Sequence, residues 1–227
     1  MSGGAISTFV AVYHYDDEAL TAGYEPLPEG DVEPVTALVG LLLQRSPPEG
    51  LHSAIPAGTT SPSQAEAGDA LVLEMSEPFW SGPPEDIRRR AAQVVFTMAS
   101  LEEGKRITLL NGLVPGEVTD VNGEVLQQPL GRHDFRDLRP WIQVIQPVAG
   151  AVVGSDVPVR VLSRGGHALR VSVTDGSGAT LLSERVRRDG GSVGPIPPDA
   201  PEELTITIGS RITGAVREVD VPVRFGL

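Results

Sequence analysis

At Trp141 the chain changes its hydrophobic period, and that break constrains the fold more than any single motif. From there on the sequence runs in short alternating stretches broken by Gly, Pro and Asp. Val159/Val161, Val171/Val173 and Val219/Val221/Val223 each point to one side of an extended strand. Asp175-Gly176-Ser177-Gly178 is a strong turn signal. About seven short strands with no helical stripe predict an all-β immunoglobulin-like sandwich over residues 141–227. The chain has no cysteine, so the Cys…Trp…Cys pattern of antibody domains is absent and only the architecture is predicted.

Upstream, strand and helix patterns alternate. Ser7–Tyr15 is rich in β-formers, and a polar, Pro/Gly-rich stretch follows to about Pro34. Val35, Leu38, Val39 and Leu42 then recur at helical spacing, with Asp31 and Glu33 near the start and Pro47-Pro48 as the stop. Asp69–Ser76 reads as a strand. Ser81–Gly104 carries the clearest helix: prolines and acids fill its first turn, Ile87, Ala91, Val94, Val95 and Met98 form its buried stripe, and Gly104 closes it. Arg106–Gly112 reads as another strand, and Asn122-Gly123 as the two-residue turn of a hairpin. The order predicts an α+β or α/β domain over residues 5–130, a mixed sheet with two helices, joined to the sandwich by a linker at 131–140.

Charge divides at the same place. Residues 1–140 carry 21 acidic and 9 basic side chains and so hold the entire net charge of −12, whereas 141–227 carry 9 of each. An acidic surface repels phosphate backbones, which argues against nucleic acid as a partner. Aromatics make up 4% of the chain, so its cores must be built from Val, Leu, Ile and Ala. No apolar run approaches the length of a membrane-spanning helix. Met1-Ser2-Gly3-Gly4 lacks the pattern of a signal peptide and suits either a cytoplasmic start or a chain whose anchor has been removed. Without cysteine there is no disulfide, thiolate metal site or Cys nucleophile.

Few residues invite a chemical reading. His52-Ser53 looks reactive, but neighbours on an extended segment point in opposite directions, and no G-x-S-x-G elbow is present. The structural reading makes Leu51 and Ile55 core anchors, gives Pro56–Thr59 a turn, and lets Ser53 bond the local backbone. His14, His52, His133 and His167 show no metal-binding spacing, and His14 with Asp16, Asp17 and Glu18 reads as a solvated strand end. Asp156, Asp175, Asp189 and Asp199 lack a calcium-loop pattern. Nothing singles out a glycosidase-type carboxylate pair or a phosphate loop. No catalytic residue, cofactor or metal is therefore assigned.

The candidate contact residues are Phe79, Trp80, Arg88, Arg89, Arg90 and Trp141. Phe79-Trp80 precedes the long helix in a Ser/Gly/Pro loop, where a tryptophan serves as an interface anchor or plugs a seam. Arg88–Arg90 is expected on the helix's outer face, as a solvated surface or a partner-binding patch. Trp141 suits the seam between domains.

Leu51, Ser53, Ile55, Pro56, Gly58 and Thr59, followed by Leu73-Glu74-Met75-Ser76 and a helix ending in Val94-Val95-Phe96-Thr97-Met98, resemble the GerMN domain of bacterial sporulation and germination proteins. The stretch from Arg139-Pro140-Trp141 onward is similar to the immunoglobulin-like domain that often follows GerMN. The family strand usually ends Val-Asp-Leu-Ser, so Leu73-Glu74-Met75-Ser76 is a conservative departure. The resemblance implies a two-domain, non-enzymatic protein of the bacterial cell envelope, exported and often lipid-anchored, acting through protein–protein recognition. The alternative is a carbohydrate- or cell-wall-binding module using Trp80 and nearby carboxylates.

Overall fold

The computed structural model describes residues 8–28, 30, 32–102, 104–164, 168–187, 191–212 and 215–226. Asp31, His167 and Asp189, singled out above, lie outside them. Two compact units emerge, one from Val10–Leu20 with Leu27–Arg139, the other from Phe9, Thr21–Pro26 and Pro140 onward.

Strand β1 (Phe9–Tyr15) opens the first unit from Val10 on, whereas β2 (Leu20–Pro26) belongs from Thr21 on to the second. Val10–Tyr15 are all buried, so β1 is covered on both faces and shows no alternation. The turn after it places Asp17 at φ 91, a strained position for a residue with a side chain. Helix α1 (Pro34–Gln44) buries the predicted Val35, Leu38, Val39 and Leu42. Its N-cap is Glu33, whose carboxylate accepts from the Thr36 amide at 3.0 Å. The chain turns extended at Arg45, before the two prolines.

A four-stranded mixed sheet follows, in the order β3 (Ser63–Ala67), β4 (Ala70–Met75), β5 (Arg106–Asn111), β6 (Val114–Pro115). Strands β4 and β5 are parallel, Leu71 opposite Ile107 and Leu73 opposite Leu109, and the crossover carries the one-turn α2 (Glu77–Trp80) and α3 (Pro84–Met98). Helix α3 contacts α1, β5 and a 3-10 turn at Arg132–Phe135. From Arg90 to Met98 every residue of α3 is buried, so it is a central helix rather than an amphipathic one.

Several expectations change. β2 replaces a stretch read as polar and Pro/Gly-rich, and β3 was not read from the sequence; Leu-Thr-Ala-Gly-Tyr-Glu-Pro and Ser-Gln-Ala-Glu-Ala carry too few large apolar residues to signal strands. Helix α3 ends at Met98, so Gly104, at φ 87, shapes the turn into β5 and not the helix end. Asn122-Gly123 is part of a three-residue turn: the Asp120 amide donates to the Glu124 carbonyl, and Gly123 at φ 84 donates back to Asp120. The Asp120 carboxylate accepts from the Asn122 and Glu124 amides, which favours the longer turn. Of residues 131–140, set apart as a linker, 131–139 pack into the first unit. Phe135 is fully buried, the Leu20 amide donates to Leu138, and the Arg132 guanidinium donates to the Phe96 carbonyl.

The second unit is a β-sandwich of β7 (Ile142–Gln146), β8 (Val152–Val153), β9 (Val157–Ser163), β10 (Leu169–Asp175), β11 (Thr180–Val186), β12 (Gly191–Val193), β13 (Glu203–Ile212) and β14 (Ala215–Phe225). One sheet runs β11-β10-β13-β14-β8 and the other β12-β9-β7. The alternating valines, with Leu169, Leu204, Ile206 and Ile208, fill the core between them. The last two strands are long, 10 and 11 residues, and Arg211 and Arg217 lie inside their ladder.

Candidate functional site

The segment Glu49–Thr60 is held from two sides. His52 exchanges both backbone hydrogen bonds with Tyr15, each 2.9 Å, which ties the segment to β1. Gln93 of α3, fully buried, accepts on Oε1 from the Ala54 amide at 2.9 Å and the Ser53 hydroxyl at 3.3 Å. Ser53 Oγ in turn accepts from the Ile55 amide at 3.1 Å. Thr59 donates its hydroxyl to the Pro56 carbonyl at 2.7 Å, and Gly58 between them sits at φ 81. Thr60 and Ser76 then clasp the segment to the end of β4. His52 is exposed and stacks on Tyr15 at 6.0 Å, while the hydroxyl beside it is engaged with Gln93 and the backbone. The chemistry of this motif is that of a clamp.

The arginine triplet departs from expectation most. Arg88 and Arg90 are buried at 6% and 7% exposure, not displayed on an outer face, and Ile87 is half-buried. Arg88 makes a bidentate pair with Asp137, at 2.5 and 3.0 Å. Arg90 donates to the carbonyls of Phe79 (2.7 Å), Ser81 (2.5 Å) and Ala54 (3.3 Å). It thereby caps the C-terminal end of α2 and joins that end to the clamp. A guanidinium suits this position because its fixed fork of donors meets several carbonyls at once. Arg89 is half-buried; it lies over the Tyr15 ring at 4.3 Å and donates to the carbonyl of strained Asp17 at 3.0 Å. Tyr15 returns a bond from its hydroxyl to the Arg89 carbonyl, and burial raises its pKa.

Arg88 and Arg89 line a cleft of about 580 Å³ together with Asp17, Glu18, Glu85 and Asp120. The cleft is polar and mixed in charge, and both arginines that line it are already engaged.

Phe79 is fully buried and presents nothing to a partner. Trp80 is half-buried: its indole N–H donates to the Met75 carbonyl at 3.1 Å, and its ring lies flat against Gly116, where an added Cβ would come within 2.0 Å of the ring. Gly116 also donates to Leu109 and accepts from Gln128. Trp80 therefore pins the β5–β6 turn, and that turn holds Leu113 at 95% and Val114 at 61% exposure. The sequence reading missed this pair; two consecutive apolar residues between Gly112 and Pro115 were the available signal. Trp141 is half-buried against the sandwich's own core, with the Arg164 guanidinium 4.3 Å over its ring.

His14 and the acids following it do not converge. His14 is buried at 4% exposure, its Nδ1 without a hydrogen-bond partner among the described residues, while Asp17 and Glu18 are exposed. Burial first, and the neighbouring His52 second, lower the His14 pKa from 6.5 to about 4. Asp175 caps its own turn, accepting from Ser177 and Ala179. Among the described residues no group of three or more His, Asp or Glu is arranged to hold a metal ion, and no helix is long and apolar enough to cross a membrane.

Residues 11–112 match the family model Germane, described as sporulation and spore germination. Among curated proteins none matches the chain. Among solved structures, the first GerMN domain of the sporulation protein GerM from Bacillus subtilis is similar at 20% identity and a TM-score of 0.44, over 56% of this chain and 99% of that one. The tandem GerMN domains of the same protein are similar at 16% identity and a TM-score of 0.44, over 85% of this chain and 63% of that one. Fibronectin(III)-like modules of Clostridium thermocellum CbhA are similar at 13% identity and a TM-score of 0.26, over 37% of this chain and 93% of that one. The matched family is described by a developmental process rather than by a reaction. Residues 11–112, which the Germane family model matches, are followed in this chain by an all-β sandwich.

Proposed function

We propose that this protein is a non-enzymatic assembly component of the bacterial cell envelope that works by binding another protein, with the β5–β6 turn as a principal contact. The observation that carries the reading is the fate of the two kinds of side chain. Ser53, Gln93, Arg88 and Arg90 are spent on internal bonds, whereas Leu113 and Val114 are held out in water by a turn that Trp80 fixes. Large apolar side chains displayed on a rigid turn suit a partner's surface better than solvent. Trp80 acts from behind the contact, and Arg89 is the member of the triplet nearest to solvent. The envelope setting is taken from the match of residues 11–112 to the sporulation and spore germination family model.

The test is crosslinking capture from envelope extracts with the full chain, run beside Leu113→Glu/Val114→Glu and Trp80→Ala. The reading expects a discrete partner that both variants lose while their circular dichroism stays native. Capture that persists undiminished in the Leu113→Glu/Val114→Glu chain overturns it.

A further inference from the structure

The outer face of the five-stranded sheet is ordered in rows. Register places Arg185 of β11 directly opposite Arg170 of β10, Arg170 opposite Gly209 of β13, and Gly209 opposite Glu218 of β14. The next row is Ser183, Ser172, Thr207 and Asp220. All side chains in these rows project away from the core, since their neighbours Leu169, Val171, Ile206, Ile208 and Val219 are buried in it.

The second row is internally satisfied: Ser172 and Ser183 share a hydrogen bond of 3.0 Å, and Thr207 donates to Asp220 at 2.6 Å. The first row is not. Two like charges stand directly opposite each other, an arrangement that disfavours the pairing of strands. Both arginines are exposed, and neither makes an ion pair among the described residues. Arg170 reaches only the hydroxyl of Ser183, at 3.4 Å. Glu218 lies along the bare backbone of Gly209, where an added Cβ would meet its Cγ at 3.0 Å. Around them is a hollow of about 400 Å³ lined by Arg170, Arg185, Ser172, Thr207 and Glu218.

β11 is also the terminal strand of its sheet, so its outer backbone groups pair with no strand among the described residues. An extended segment laid along it would sit about 4.8 Å out and put every second side chain on the face of the arginine row. An acidic side chain there would stand beside Arg185 and offset the two like charges of the row. We propose that the β11 edge, with Arg185 and Arg170, is a docking site for an extended acidic peptide segment of a protein partner. The inference rests on the reading of the chain as a protein-binding module and names a second surface for it. A peptide is favoured over a sugar polymer because none of the described lining residues is aromatic, leaving no platform for a sugar ring.

The experiment titrates the full chain with acetyl-Val-Thr-Glu-Val-Thr-amide, following amide shifts and exchange protection in Thr180–Val186. Saturable binding is expected, weakened at least about tenfold when the peptide carries Gln for Glu or the chain carries Arg170→Gln/Arg185→Gln. Equal binding by the Gln peptide, or no saturable binding, overturns the proposal. Binding of polygalacturonate that depends on the arginines, with none of the peptide, overturns it in favour of a polysaccharide. If the Arg170→Gln/Arg185→Gln chain still captures its envelope partner and the peptide does not bind, this site falls and the proposed function stands. If the peptide binds but capture ignores Leu113→Glu/Val114→Glu, the site stands and that reading falls.

Discussion

The side-chain oxygen of Gln93 accepts the Ala54 amide and the Ser53 hydroxyl at 2.9 and 3.3 Å, across 39 and 40 residues of sequence. This pairing turns a reactive-looking serine into the head of a clamp between the 49–60 segment and α3. Gln93→Leu keeps the volume but leaves the Ala54 amide and Ser53 short of partners. We expect it to lower stability by roughly 1–3 kcal/mol in urea unfolding. Ser53→Ala leaves the stronger amide bond in place and should cost less. The reverse order would show that the hydroxyl, and not the amide, secures the segment.

Gly58 and His52 divide the same segment into essential and dispensable parts. Gly58 sits at φ 81 with open space where a Cβ would project, so replacement there is a matter of backbone strain rather than of crowding. Gly58→Val should cost about 1–2 kcal/mol or more, since a β-branched residue in the left-handed region is a genuine outlier. His52 contributes backbone bonds to Tyr15 that any residue can make, and its ring is exposed. His52→Ala should therefore shift stability by less than about 0.5 kcal/mol. Thermal melts of the two variants side by side decide the matter, and a larger loss from His52→Ala would contradict it.

His14 makes the first unit sensitive to mild acid. Its pKa falls from 6.5 in the unfolded chain to about 4 in the fold. The folded state thus binds this proton less readily. The stability linked to it is complete above about pH 6.5 and is lost as pH falls toward 4, with a slope of at most about 1.4 kcal/mol per pH unit. Between pH 7 and 5 the loss from this residue should be of order 1–2 kcal/mol. His14→Phe, which fills the same buried space, should flatten that part of the stability curve. Urea midpoints at pH 7, 6 and 5 for both chains test it; parallel curves would assign the acid sensitivity to other groups.

What could be read from the sequence was what local spacing records. The stripe of α1 is visible because Val35, Leu38, Val39 and Leu42 recur at the helical period, and the sandwich is visible because its valines alternate. The turn at Pro56–Thr59 is visible because Pro56 and Gly58 supply its chemistry. Arg88 and Arg90 were not legible, because on helical spacing alone they fall beside the apolar stripe and read as solvated. They are buried because Asp137, Ala54 and Phe79 bring oxygens to them from 49, 36 and 11 residues away, and no window along the chain contains those partners. Leu113 and Val114 were missed for the opposite reason. Two apolar residues in a turn look like buried residues until the backbone shows that nothing covers them.

Trp80 and Gly116 supply the sharpest test of how the exposed pair is held. A Cβ on Gly116 would lie 2.0 Å from the indole ring, closer than any real contact, and the ring is fixed by its N–H bond to Met75. Gly116→Ala must therefore displace the tryptophan or the turn, and we expect a loss of about 2–4 kcal/mol. Trp80→Ala alone loses the packing of a half-buried ring, about 2–3 kcal/mol. With the ring gone the added methyl has room, so the double variant should be about as stable as Trp80→Ala alone. That is a coupling of about 2 kcal/mol or more, measurable as a double-mutant cycle. Additive losses would mean that the ring does not rest on Gly116, and with it would fall the account of how the β5–β6 turn is kept rigid enough to display Leu113 and Val114.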